Sequence, residues 1–163
     1  MPLPCVIDIE ASGFGRGSYP IEVGFALPDG RTGCTLIRPQ EEWTHWDGHA
    51  QRLHRLTREL LMRHGRPATE VAGLLNEQLA GRSVYCDNWA HDFAWLARLY
   101  NSAAATPAFR LRHVRELLDE DQAARWDEAC SEARAALKAM RHRASNDARV
   151  LQRAWASLQT SAA

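Results

Sequence analysis

The segment CVIDIEASGFG, residues 5–15, sets two carboxylates two positions apart in an otherwise apolar, strand-forming run. Strand side chains alternate between faces, so Asp8 and Glu10 share one face, roughly 6.6 Å apart along the strand, and Cys5, Ile7 and Ile9 share the other. Two more acids lie on apolar helical stripes. Asp92 stands three, four and seven positions before Trp95, Leu96 and Leu99, and Asp147 continues the stripe Leu151, Ala154, Trp155, Leu158 by one turn. Each has an ordinary structural explanation: a solvated sheet face, a pairing with Arg98, a favourable place in a helix's first turn. All four at the edge of core faces are harder to explain that way, because unpaired buried charge is costly and a divalent cation removes the cost. Oxygen donors without a Cys or His cluster suit Mg²⁺ or Mn²⁺ rather than zinc. His142 lies five residues before Asp147, between Arg141 and Arg143. Alone it reads as a solvated loop histidine. At this spacing from Asp147 it reads as a general base, since imidazole titrates near neutrality.

Positioning these groups takes strands first and helices afterwards. Residues 4–10, 20–27 and 33–38 read as three strands forming an antiparallel meander, with Asp29-Gly30 as the hairpin turn between the second and third. Helical periodicity begins near residue 48, in HAQRLHRLTRELLMRH and then ATEVAGLLNEQLAG. SVYC (83–86) reads as a fourth strand, and Asp87 or Asn88 as the cap of a helix through AHDFAWLARLY. FRLRHV (109–114) reads as a fifth strand, helical segments continue to about 140, and a last helix runs from near Ser145 to about Leu158. Strands followed by helix–strand units imply one mixed sheet with helices on its faces.

The bulk composition fits a single domain over residues 1–163. No apolar run approaches the roughly 20 residues of a membrane span, and no basic-then-apolar leader precedes the first strand. Four scattered cysteines without a CxxC pair suggest reduced thiols and a cytoplasmic protein. Formal net charge is zero, which argues against a generally basic nucleic-acid binder.

In this order the motifs VIDIEASG, NWAHDFAWL and HRASND resemble those of the DEDDh exonucleases, the superfamily of ribonuclease T and the proofreading subunit of bacterial DNA polymerase III. LHRLTRELL resembles that family's His-and-Thr segment ahead of the middle helices, and the likeness spans essentially the whole chain. His91 stands where the family often has Phe or Tyr, Asp87 where His commonly precedes Asn, and Ser12 where Thr is usual. Asp87 is therefore a rival to Asp92, which fits the aromatic and leucine positions better.

The resemblance implies an α/β, ribonuclease H-like fold with a central five-stranded mixed sheet flanked by helices. It implies 3′–5′ hydrolysis of single-stranded DNA or RNA ends to 5′-mononucleotides. On this reading two Mg²⁺ or Mn²⁺ ions roughly 4 Å apart are held by Asp8, Glu10, Asp92 and Asp147, with His142 as base. Ser12, Gly13, Phe14, His54 and Asn88 are the candidate substrate contacts; Phe14 reads equally as a wedge against the terminal base or a loop residue on the core. Membrane partners are not expected, and a homodimer is compatible with the resemblance. The competing readings are a non-catalytic nucleic-acid or nucleotide-binding module, a small-nucleotide phosphohydrolase on the same fold, and an inactive α/β scaffold.

Overall fold

The computed structural model describes residues 2–139 and 141–160. Five strands, β1 (Cys5–Ala11), β2 (Pro20–Ala26), β3 (Thr32–Leu36), β4 (Ser83–Cys86) and β5 (Arg110–His113), form one sheet in the order β3-β2-β1-β4-β5. The first three make the expected antiparallel meander, and β4 and β5 join β1's other side in parallel. Helices α3 (Ala68–Leu79) and α4 (Trp89–Ser102) return the chain between the parallel strands. A 3-10 turn at Val114–Leu117, α5 (Glu120–Ala124), α6 (Trp126–Leu137) and α7 (Ala144–Thr160) follow β5.

Alternation along β1 divides the interior into two cores. Cys5, Ile7 and Ile9 pack with Val71, Leu75, Leu79, Leu96 and Leu99 on one side of the sheet. Val6 packs with Trp126, Ala129, Ala133, Leu151, Trp155 and Leu158 on the other. Asp8 and Glu10 continue Val6's face, just where α7 begins.

That junction is unusually close. A Cβ on Gly24, the β2 partner of Asp8, would lie 2.2 Å from the Ser145 backbone nitrogen and 2.4 Å from the Ala144 carbonyl carbon. Backbone therefore rests on backbone, and the first turn of α7, with Asp147, is pressed against the strand pair that carries the other acids.

Two local expectations are corrected. The periodic stretch 49–64 is not one helix but two, α1 (Gly48–His54) and α2 (Arg58–His64). Arg55 takes a left-handed conformation at φ 62°, and the Thr57 hydroxyl accepts from the Leu60 N–H to start α2 afresh. Side-chain capping outweighed the apolar period there. Neither Asp87 nor Asn88 caps α4 through its side chain: Asn88 makes no capping bond, and Asp87 accepts from Trp126 Nε1 at 3.2 Å. Among the described residues no helix is long and apolar enough to cross a membrane.

Gly24→Ala is expected to destabilise the fold by about 2 kcal/mol or more, since overpacking against backbone has little room to relax. Chemical denaturation measures this; wild-type stability for the variant would refute the close contact.

Candidate active site

The carboxyl ends of β1 and β4, the N-terminal turn of α4 and the start of α7 surround a cleft of about 500 Å³. Asp8, Glu10, Asp92, Asp147 and His142 all line it, with Gly13, Phe14, His54 and Asn88. In open α/β sheets such crevices at the carboxyl ends of strands are where ligands gather.

Oxygens of Asp8, Glu10 and Asp147 all lie within 4.8 Å of one another, close enough for one cation to touch all three. Asp8 Oδ2 and Asp92 Oδ2 are buried without a hydrogen-bond partner among the described residues. Orphaned buried oxygens beside a carboxylate triad are the state a hard divalent cation would complete. The donor set is therefore of the right kind for Mg²⁺ or Mn²⁺.

The electrostatics agree. Burial, then the charges of Asp92, Glu10, Asp147 and Glu22, hold the Asp8 carboxyl well above its ordinary range. Burial, then Asp147, Glu22 and Asp92, raise Glu10 to about 8, with Arg143 opposing. Burial raises Asp92 to about 7, against hydrogen bonds from the Cys86 thiol and the Asn88 backbone. Among the two rival acids Asp92 is the buried one, while Asp87 is exposed at the rim with its carboxylate held by Trp126.

Glu22 explains how the sheet tolerates a further acid. It sits directly opposite Glu10 in the β1–β2 ladder and is 1% exposed. Like charges so placed repel. Arg143 answers with three hydrogen bonds to the Glu22 carboxylate at 2.9 to 3.2 Å, and the Ala144 N–H adds a fourth at 2.8 Å. Arg143 is thus committed to Glu22, and of the two arginines flanking His142 only Arg141 faces the cleft. His142 itself adopts φ 59°, a left-handed conformation uncommon outside glycine, which turns the chain into α7.

Ser12 departs from the sequence expectation. It is fully buried; its hydroxyl accepts from the Tyr19 N–H and lies 2.9 Å from His45 Nδ1. Its own N–H donates to the Tyr19 carbonyl, and its carbonyl accepts from the Asp47 N–H. Ser12 thus shapes the loop, and it is not among the residues that line the cleft. Gly13 lies beside it at φ +149°, where a Cβ would meet Asp47 Cβ at 2.6 Å. Phe14 is 63% exposed and lines the cleft, its ring 4.9 Å from His91 and 5.9 Å from the buried Trp95.

His54 faces the cleft from α1. Its Nδ1 accepts from the Leu56 N–H, which puts the proton of the neutral ring on Nε2, a buried atom without a partner among the described residues. Burial, with smaller effects of His142 and Arg143, lowers its pKa against Glu22, favouring that neutral form.

Sequence reasoning missed Arg134, Leu53 and Ala50, which also line the cleft. Arg134 Nη1 lies 2.7 Å from Asp147 Oδ1. Nothing in the sequence of α6 marks that arginine among its neighbours.

No family model and no curated protein matches the chain. Solved structures do. The structure of Escherichia coli exonuclease I with a 5cy-dT13 oligonucleotide matches 99% of this chain and 41% of its own, at TM-score 0.72 and 12% identity. Exonuclease I described in terms of how processivity is achieved matches 98% and 44%, at 0.71 and 11%. A moderately thermophilic exonuclease I from Methylocaldum szegediense matches 77% and 30%, at 0.60 and 13%. This chain spans less than half the length of each of these. At such identities the likeness establishes the fold: a ribonuclease H-like α/β sheet flanked by helices.

The raised carboxyl groups fix the sign of a pH effect. Their protons bind the folded protein more tightly than the unfolded one, so this contribution to metal-free stability is present at low pH and lost as pH rises through the folded values. For Glu10 the window runs from its ordinary 4.5 to about 8. Thermal melts in chelator are expected to show this falling contribution between about pH 5 and 8, while the increment from saturating Mn²⁺ grows over the same range. Asp8→Asn should melt above wild type in chelator at pH 8 and gain little from Mn²⁺. An increment independent of pH would contradict the metal assignment.

Proposed function

We propose that this chain is a metal-dependent 3′–5′ exonuclease that trims single-stranded nucleic acid to 5′-mononucleotides. The observation that carries the reading is the meeting of Asp8, Glu10 and Asp147 within 4.8 Å, in a cleft also lined by Asp92 and His142. The fold is similar to that of exonuclease I, whose solved complexes include dT13 and dA16 oligonucleotides. The acid set suits hydrolysis of a phosphodiester, because divalent ions held by it would offset the negative charge of the phosphate and of the leaving oxygen.

Asp8, Glu10, Asp92 and Asp147 would hold the divalent ions. Bound there, such ions supply Lewis acidity and offset the phosphate's charge. His142 takes the proton of the attacking water; its position on the cleft wall beside the start of α7 serves that role. Asn88, free of capping duty, and His54 Nε2–H are the groups with hydrogen bonds left to give to the terminal nucleotide. Phe14 offers a ring face or edge to its base, a contact that tolerates any base. Arg141, exposed at the rim, meets backbone phosphate.

One observation favours a second reading, a binder without hydrolysis: the Arg134–Asp147 pair, which engages one of the acids. A single assay separates the two. With Mn²⁺, a 5′-labelled single strand of DNA or of RNA is expected to shorten from its 3′ end as a ladder. Asp8→Ala should abolish the ladder. His142→Ala should slow turnover by about 10²- to 10⁴-fold while keeping the Mn²⁺-induced rise in melting temperature. Retention of strand with no shortening supports the binder, and wild-type rate in His142→Ala removes the base.

A further inference from the structure

Two arginines neutralise acids in this site, and they do so differently. Arg143 grips Glu22 with an aligned fork that a backbone N–H completes. Arg134 reaches Asp147 from α6, its Nη1 at 2.7 Å from Oδ1, yet that buried nitrogen makes no aligned hydrogen bond to it or to any other partner among the described residues. The pair is largely shielded, with side-chain exposures of 23% and 16%, and both residues face the cleft. A close but misaligned ion pair spends little of guanidinium's directional strength.

A cation on Asp147 would compete with Arg134 for the charge of the same carboxylate. Its oxygens already lie within 4.8 Å of those of Asp8 and Glu10, so an ion between the three supplies the counter-charge that Arg134 supplies without it. With Asp147's charge so engaged, the guanidinium is a largely shielded cation on the cleft wall with less counter-charge of its own. A phosphate group is the anion whose geometry matches its fork.

Resting on the exonuclease reading, we propose that Arg134 exchanges partners. It is the counter-ion of Asp147 in the ion-free protein, and in the loaded protein it binds the phosphate of the terminal nucleotide. Arg134 is then a substrate-binding residue that reads phosphate rather than base or sugar. It also keeps the acid cluster from carrying its whole repulsion before ions arrive.

The test compares wild type with Arg134→Ala and with Arg134→Gln, which drops the charge and keeps much of the side chain's bulk. Binding of dTMP and thymidine, and of UMP and uridine, is measured by calorimetry at saturating Mn²⁺ under conditions without hydrolysable strand. Wild type is expected to bind a monophosphate more tightly than its nucleoside. Both variants should lose about tenfold to a hundredfold of monophosphate affinity, the range of a charge-assisted hydrogen bond, with nucleoside affinity unchanged. Titration of Mn²⁺ alone should give tighter binding in the variants, since the competing cation is gone. Unchanged monophosphate binding overturns the exchange, and weaker Mn²⁺ binding does too, because Arg134 would then be holding Asp147 in place as a ligand. If Mn²⁺-loaded wild type binds no nucleotide, the exonuclease reading itself falls and this inference with it.

Discussion

Negative charge buried beside negative charge is the constraint around which this molecule is arranged. Asp8, Glu10, Glu22, Asp92 and Asp147 converge where the sheet ends and two helices begin, and they are not compensated alike. Glu22 has a permanent answer in the Arg143 fork and the Ala144 N–H. Asp147 has Arg134. Asp8, Glu10 and Asp92 have no arginine within ion-pairing distance among the described residues, and burial raises all three. The unbalanced remainder is what gives these carboxyl groups their raised affinity for protons. A core optimised for stability alone would not keep it.

The packing around the cluster serves its geometry. Gly24 removes the side chain that would separate β2 from α7, which brings Asp147 down to β1. Glu22 and Arg143 then tie the residues just ahead of α7 to the same strand pair, and His142 precedes that tie by one residue. The opposite wall depends on the segment 43–47. Trp43 is buried against Tyr19, and Asp47 and His45 hold the Ser12–Gly13 loop through its carbonyl and hydroxyl. The acids thus stand on strands and helices, whereas Phe14 and Arg141 stand exposed at the mouth.

Much of this was legible in the residues. Alternation in VIDIE put Asp8 and Glu10 on one face because a strand leaves no other choice, and helical spacing put Asp92 and Asp147 on the buried sides of their helices. The meander followed from the Asp29-Gly30 turn and the period of two. Where local chemistry competed with the period, sequence reading faltered. The Thr57 cap split one apparent helix, and Ser12 turned inward because its hydroxyl found Tyr19 and His45. Arg143 went to Glu22, a residue 121 positions away in the chain.

The amino-acid order alone determined which acids share a face and which elements carry them, since those relations depend only on backbone periodicity within a segment. It also determined that a histidine precedes the last helix by a short, fixed stretch. Tertiary structure decided which arginine meets which acid, that Asp87 stays at the rim while Asp92 is buried, and that Arg134 on α6 faces Asp147 at all. Those are relations between segments distant in the chain. They are set by how closely packed elements approach, as the backbones at Gly24 and Ala144 do, and no spacing rule along a sequence encodes such distances.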